Sequence, residues 1–131
     1  MDHIDDSFFQ VSVKGLFFNA DNKLMMMREK SGVWELPGGR IQKGEEFIEC
    51  LKRECEEETG LACEVIGNKP LFIWPAIDKE GRGRIMICFN IHVKSLDFKR
   101  SDECEEINFF SKAEIEGLHI NPQLKKLSSF L

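Results

Sequence analysis

The chain has 131 residues, 42% of them hydrophobic and 31% charged, with a formal net charge of -5. That length supports one domain, 1–131, with a single sizeable core. The acidic balance argues against a broad basic face for duplex nucleic acid, and no apolar run is long enough to predict a membrane span.

The opening MDHIDDSFFQ is acidic and has no basic stretch ahead of an apolar one, so no secretory signal is expected. Residues 8–18, FFQVSVKGLFF, are rich in β-branched and aromatic residues and predict a strand. NADN at 19–22 is a turn, and KLMMMR at 23–28 reads as the returning strand. A second turn at Ser31-Gly32 leads to a short strand over 34–36, and Pro37-Gly38-Gly39 reads as a breaker. A helix is expected from about Glu45 or Glu46 to Thr59, with Gly60 suited to a left-handed C-terminal position. Apolar stretches at 61–67, 71–77 and 84–94 follow, the last two joined by a DKEGRG hairpin loop. EINFF at 106–110 predicts one more strand. Ser111 and Glu114 have capping-box spacing for a short helix, and Asn121-Pro122 predicts a last helix reaching about Phe130. Strands before, between and after helices imply an α/β fold, a mixed sheet with helices packed on its faces.

Five cysteines at 50, 55, 63, 88 and 104 show no C-x-x-C spacing. They are expected to be reduced and mostly buried in a cytoplasmic protein. The histidines at 3, 92 and 119 are scattered and have no metal-ligand spacing.

The unusual stretch is 39–61, GRIQKGEEFIECLKRECEEETGL, where seven of 23 residues are glutamates. Phe47, Cys50 and Leu51 are spaced to share the packing face of the helix. Glu54, Glu57 and Glu58 continue that face within a sector about 100° wide. Carboxylates about 6 Å apart repel by roughly 3 kcal/mol per pair at an effective dielectric of about 20. The negative end of the helix dipole adds to the penalty. Arg53 is placed to pair with Glu57 or Glu56, which relieves only part of it. A hard divalent cation such as Mg²⁺ or Mn²⁺ prefers oxygen ligands and resolves the conflict. A solvated acidic helix end, or an acidic helix that docks a basic partner protein, is the competing interpretation.

These residues resemble the Nudix signature, G-x5-E-x7-R-E-U-x-E-E-x-G-U with U a bulky apolar residue. Gly39, Glu45, Arg53, Glu54, Glu57, Glu58, Gly60 and Leu61 stand at its fixed positions, and Cys55 replaces the first aliphatic. The preceding WELPGG and the later EEINFFSKAEI also resemble that family, and the compact length resembles its MutT-like members. The resemblance implies an α/β/α sandwich with a mixed β-sheet and helices on both faces. It implies hydrolysis of a nucleoside diphosphate derivative, such as a nucleoside triphosphate or ADP-ribose, with Mg²⁺ or Mn²⁺. Glu54, Glu57, Glu58 and the carbonyl of Gly38 or Gly39 are then metal ligands, with Glu54 or a neighbour orienting the water and Arg53 orienting Glu57. Glu45 is expected to fix the loop onto the helix. Glu103, Glu105 and Glu106 are candidates for a further carboxylate, Glu103 and Glu106 preferred. Arg28, Trp34 and Trp74 are candidate substrate contacts, with Phe72, Arg82 and Arg84 more remote ones. A non-catalytic nucleotide sensor on the same fold is the alternative, although such modules typically lose signature carboxylates and this chain keeps them all.

Overall fold

The computed structural model describes residues 4–131, with side chains from residue 6 onward. His3 and the first residues of the stretch read for a secretory signal lie outside the described residues. A short helix α1 (Ile4–Ser7), which the sequence patterns do not predict, precedes strand β1 (Phe9–Leu16). Then come β2 (Leu24–Arg28), β3 (Trp34–Glu35), β4 (Gly38–Arg40) and the long helix α2 (Phe47–Thr59). Strands β5 (Cys63–Val65), β6 (Phe72–Ile77), β7 (Gly83–Val93) and β8 (Glu106–Phe110) lead to helix α3 (Lys112–Glu116).

The larger sheet is mixed. β1 runs parallel to β7 along its whole length, from Phe9 opposite Gly83 to Leu16 opposite Asn90. β4 lies antiparallel on the free side of β1, and β5 and β6 share the other side of β7. A smaller antiparallel sheet has the order β3-β2-β8. Successive strand residues point to opposite faces, and two cores result. Ile87, Phe89 and Ile91 of β7 pack with Cys50, Leu51 and Cys55 of α2. Met86 and Cys88 of the same strand pack with Trp74, Ile115, Leu124 and Leu127 on the other face. The result is an α/β/α sandwich. All five cysteines are buried with free thiols. Among the described residues, no helix is long and apolar enough to cross a membrane.

Three expectations need correction. Gly38-Gly39 does not break the sheet but forms β4. Gly38 has φ of 126°, and a Cβ there would run into the Val13 carbonyl, so only glycine allows this close pairing with β1. The last helix is instead two 3₁₀ turns, Pro122–Leu124 and Leu127–Phe130. Its apolar anchors Leu124, Leu127 and Phe130 recur every third residue, the period of a 3₁₀ helix rather than an α-helix. Phe47 opens α2 and is 42% exposed, so the buried stripe begins at Cys50.

Trp74 is 2% exposed, donates its indole N–H to the Gln123 carbonyl at 3.0 Å and stacks on Phe130. It is a core residue and cannot stack on a substrate base. Trp74→Ala is expected to lower the unfolding free energy by about 3–5 kcal/mol in urea titrations. A loss below about 1 kcal/mol would contradict that placement.

Candidate active site

Helix α2 starts at a capping box between Glu46 and Glu49 and stops at Gly60, whose φ is 72°. Between these stops, Arg53 forms the hub of the acidic face. Its Nε and Nη2 donate to the two carboxylate oxygens of Glu45 at 2.6 and 3.0 Å. Its Nη1 donates to Glu54 at 2.7 Å and to Glu57 at 3.2 Å, and Nη2 also reaches the Arg40 carbonyl at 3.3 Å. Glu45 in turn accepts the Gln42 N–H at 2.9 Å, which ties the loop after β4 to the helix. The forked contact is the geometry that favours arginine over lysine. Hydrogen bonds from Arg53 and Gln42 hold the Glu45 carboxyl down at about 2, and Glu45 holds the Arg53 guanidinium above its ordinary range. Glu56 takes no part in this cluster, contrary to its i,i+3 spacing from Arg53.

Glu58 turns to the other side. Its carboxylate accepts the Gly38 N–H at 2.9 Å. Burial pushes its carboxyl up to about 8, against the pull of the Lys14 ammonium and of that N–H. Glu54 presses against Gly39, where a Cβ would overlap its carboxylate. The two glycines thus bring backbone and carboxylates together at the edge of the sheet.

Beneath them lies Lys14, which the sequence reading passed over. It is buried in β1, donates to the carbonyls of Gly38 at 3.1 Å and Leu36 at 3.3 Å, and pairs with Glu35 at 3.5 Å. Burial alone would depress its pKa, but Glu35 and Glu58 outweigh that and raise it. Glu35 also accepts from Gln123 at 2.8 Å. A signal was available: Ser12 and Lys14 alternate with Val11 and Val13, putting two polar residues on one face of an otherwise apolar strand.

Glu54, Glu57, Glu58, Gly38, Gly39 and Glu103 all line one cleft of about 730 Å³. Glu105 and Glu106 are instead tied to Arg28 at 3.5 and 3.2 Å. Arg28 is therefore engaged at the end of β2 and does not line the cleft. Trp34 packs edge-on against Phe110, with ring centres 4.8 Å apart, and is likewise outside it. Phe72 packs against the core with Trp74. Arg82 pairs with Asp78 and Glu80, whereas Arg84 lines the cleft.

Among the described residues, no three acidic, histidine or cysteine side chains converge closely enough to cage a metal. Glu54 and Glu57 are drawn to Arg53 instead. The donor set nevertheless suits a hard cation: it consists of carboxylate and carbonyl oxygens on a single cleft, with a glycine giving Glu54 its room. The Gly38 carbonyl is partly taken by Lys14, while Gly39 is paired with Val13 in the β1–β4 ladder and its carbonyl also meets the Cys50 thiol at 3.6 Å.

A sandwich of this kind, with an arginine-bound acidic helix beside a glycine strand, defines a class of fold and site. The model of the NUDIX domain matches residues 8–129, and the chain belongs to that family. It is 33% identical over 105 residues to an ADP-ribose pyrophosphatase of Methanocaldococcus jannaschii, covering 76% of this chain and 60% of that protein. It is 40% identical over 58 residues to an 8-oxo-dGDP phosphatase of Mus musculus, covering 41% of this chain and 18% of the relative. The chain thus spans less than two thirds of either relative. In structure it is similar to a MutT protein from Methanosarcina mazei Go1, with a TM-score of 0.76 at 23% identity, covering 92% of this chain and 91% of that one.

The depressed carboxyls set an acid limit. Glu45 is held at about 2 against an ordinary 4.5. Asp78 is also held at about 2, against 3.8, because hydrogen bonds from Arg82, Arg84 and Glu80 overcome its burial. Both groups bind fewer protons folded than unfolded, so their contribution is full above about pH 4.5 and is lost as the pH falls toward about 2. Below about pH 4.5 Glu58 is protonated in both states and does not oppose this, so urea midpoints measured from about pH 4.5 down to 3 should fall, and Glu45→Gln should show a shallower fall. Parallel curves for the two proteins would contradict this.

Proposed function

We propose that the chain is a divalent-metal-dependent hydrolase. It cleaves the pyrophosphate linkage of a nucleoside diphosphate derivative, a nucleoside triphosphate, ADP-ribose or a similar compound, by attack of water on phosphorus. The observation that carries this is the placement of Glu54, Glu57 and Glu58 on one cleft beside the Gly38-Gly39 strand. The names of the relatives point the same way, because ADP-ribose and 8-oxo-dGDP both contain a diphosphate attached to a nucleoside.

Glu54, Glu57 and Glu58 would hold Mg²⁺ or Mn²⁺, with the Gly39 or Gly38 carbonyl and Glu103 as further oxygen donors. A cation bound there supplies charge neutralisation on the phosphate oxygens and makes water more acidic. The rest falls to the chain itself. Glu54, packed against Gly39, or a neighbouring carboxylate orients the water, and a carboxylate of this face accepts its proton. Arg53 acts on the reaction through other residues, setting the carboxylates of Glu54 and Glu57 and anchoring them through Glu45 to the loop. Lys14 fixes the strand edge from below by holding the Leu36 and Gly38 carbonyls.

A panel of nucleotides incubated with Mg²⁺ or Mn²⁺, with products separated by chromatography, tests activity and substrate together. Release of a mononucleotide or of phosphate is expected, abolished by chelator. Glu57→Gln should lower turnover by about 100-fold or more. Turnover that survives both chelator and Glu57→Gln would refute the assignment. Nucleotide binding with no turnover of any member of the panel would favour the sensor alternative.

A further inference from the structure

The cleft has a cationic side that the metal chemistry does not use. Arg84 stands near the start of β7, where its neighbour across β1 is Gln10. Gly39 faces Val13, on the opposite side of β1 and three residues further along it. At about 3.3 Å per residue, the two positions are offset by roughly 10 Å along the strand. Arg84 therefore addresses a part of any bound molecule remote from the glutamates.

Its head group is built in but only partly used. Arg84 is 9% exposed and lines the cleft. Nε donates to Asp78 Oδ2 at 2.9 Å, and Nη1 makes only a long contact of 3.5 Å to the Ser12 hydroxyl. Among the described residues Nη2 has no hydrogen-bond acceptor and no buried side-chain nitrogen lacks a partner, so Nη2 is exposed where Arg84 lines the cleft. Asp78 does not fully neutralise Arg84 either, because the same Oδ2 serves Arg82 at 3.3 Å. Asp78 is itself fixed by the N–H groups of Glu80 and Arg82 in the β6–β7 hairpin. A buried guanidinium with open donors and half a counter-charge has unmet capacity for an anion.

The surroundings indicate what the anion carries. Asp78 lines a second, mainly apolar groove of about 580 Å³ between β6 and the first 3₁₀ turn. Phe9 and Gln123 line both the groove and the cleft, so the two adjoin. Phe9 is 44% exposed, and its ring lies over Gly83, where a Cβ would meet it at 2.8 Å. A phosphate at Arg84 would place the group attached to it beside apolar walls and an aromatic ring.

We propose that Arg84, oriented by Asp78, binds a phosphate of the nucleotide away from the reacting phosphorus and directs the nucleoside toward the β6 groove. This rests on the nucleotide-hydrolase assignment but has its own test. In metal-free buffer with chelator, the ¹⁵N-labelled full-length chain is titrated with AMP and, separately, with adenosine. AMP should shift the Arg84 Nε–H resonance, and adenosine should leave it in place. Arg84→Lys keeps the charge but loses the fork, and should weaken AMP binding about tenfold without changing Mn²⁺ affinity. On any nucleotide that is hydrolysed, it should raise KM about tenfold with kcat within about threefold of wild type. A structural ion pair alone would move none of these readings. An Arg84 resonance unmoved by AMP, no AMP binding by the wild-type chain, or equal AMP affinity in Arg84→Lys would each overturn the proposal. An Arg84 shift in a chain that hydrolyses no nucleotide would instead sink the hydrolase assignment and leave the anion subsite standing.

Discussion

One guanidinium shared among three carboxylates is the interaction on which the site depends. Without Arg53, Glu45, Glu54 and Glu57 would crowd together with no counter-charge, and the helix dipole would further disfavour Glu57 in the last turn. With it, the loop after β4 is fastened to α2 through Glu45, and two of the cleft carboxylates are fixed in direction. The ion pairs are only partly buried, so their net contribution to stability is modest. Their value lies in geometry: a forked donor defines where each oxygen sits, which a point charge does not.

The second constraint is steric. Gly38 lies so close to Val13 that a side chain is excluded, and Gly39 leaves room for the Glu54 carboxylate. The strand edge can then present backbone and carboxylate oxygen to the same space. Lys14, which lines the same cleft, braces this edge through the Gly38 carbonyl, and Glu35 and Gln123 complete its surroundings. The site is therefore a junction of α2, β4 and β1, each of which contributes something the other two lack.

Much of this was legible from the sequence because it is periodic. The phase of Cys50, Leu51, Glu54, Glu57 and Glu58 on a helix predicts both the packing and the converging acids. The Gly60 stop and the apolar run that becomes β7 are equally local. What escaped was non-local. Helical spacing offers Arg53 the partners Glu56 and Glu57, but a folded loop brings Glu45 to it and replaces Glu56. Trp74 and Trp34 have the chemistry to stack on a base, but only the tertiary fold decides that they face the core and Phe110. Arg28 has the charge for phosphate, but β2–β8 pairing sets it opposite Glu106. Residue type alone states what a side chain can do, and register states what it meets. Lys14 and Arg84 were undervalued for the same reason, since their importance comes from strands far apart in sequence.

The most direct measurement is the anomalous signal of manganese in crystals of the full-length chain grown or soaked with Mn²⁺. If the Arg53-bound face and the glycine strand together form the metal site, the peak lies in the cleft within ligand reach of Glu54, Glu57 and Glu58. A cleft that stays empty at saturating Mn²⁺, with those carboxylates still on Arg53 and the Gly38 N–H, would contradict it.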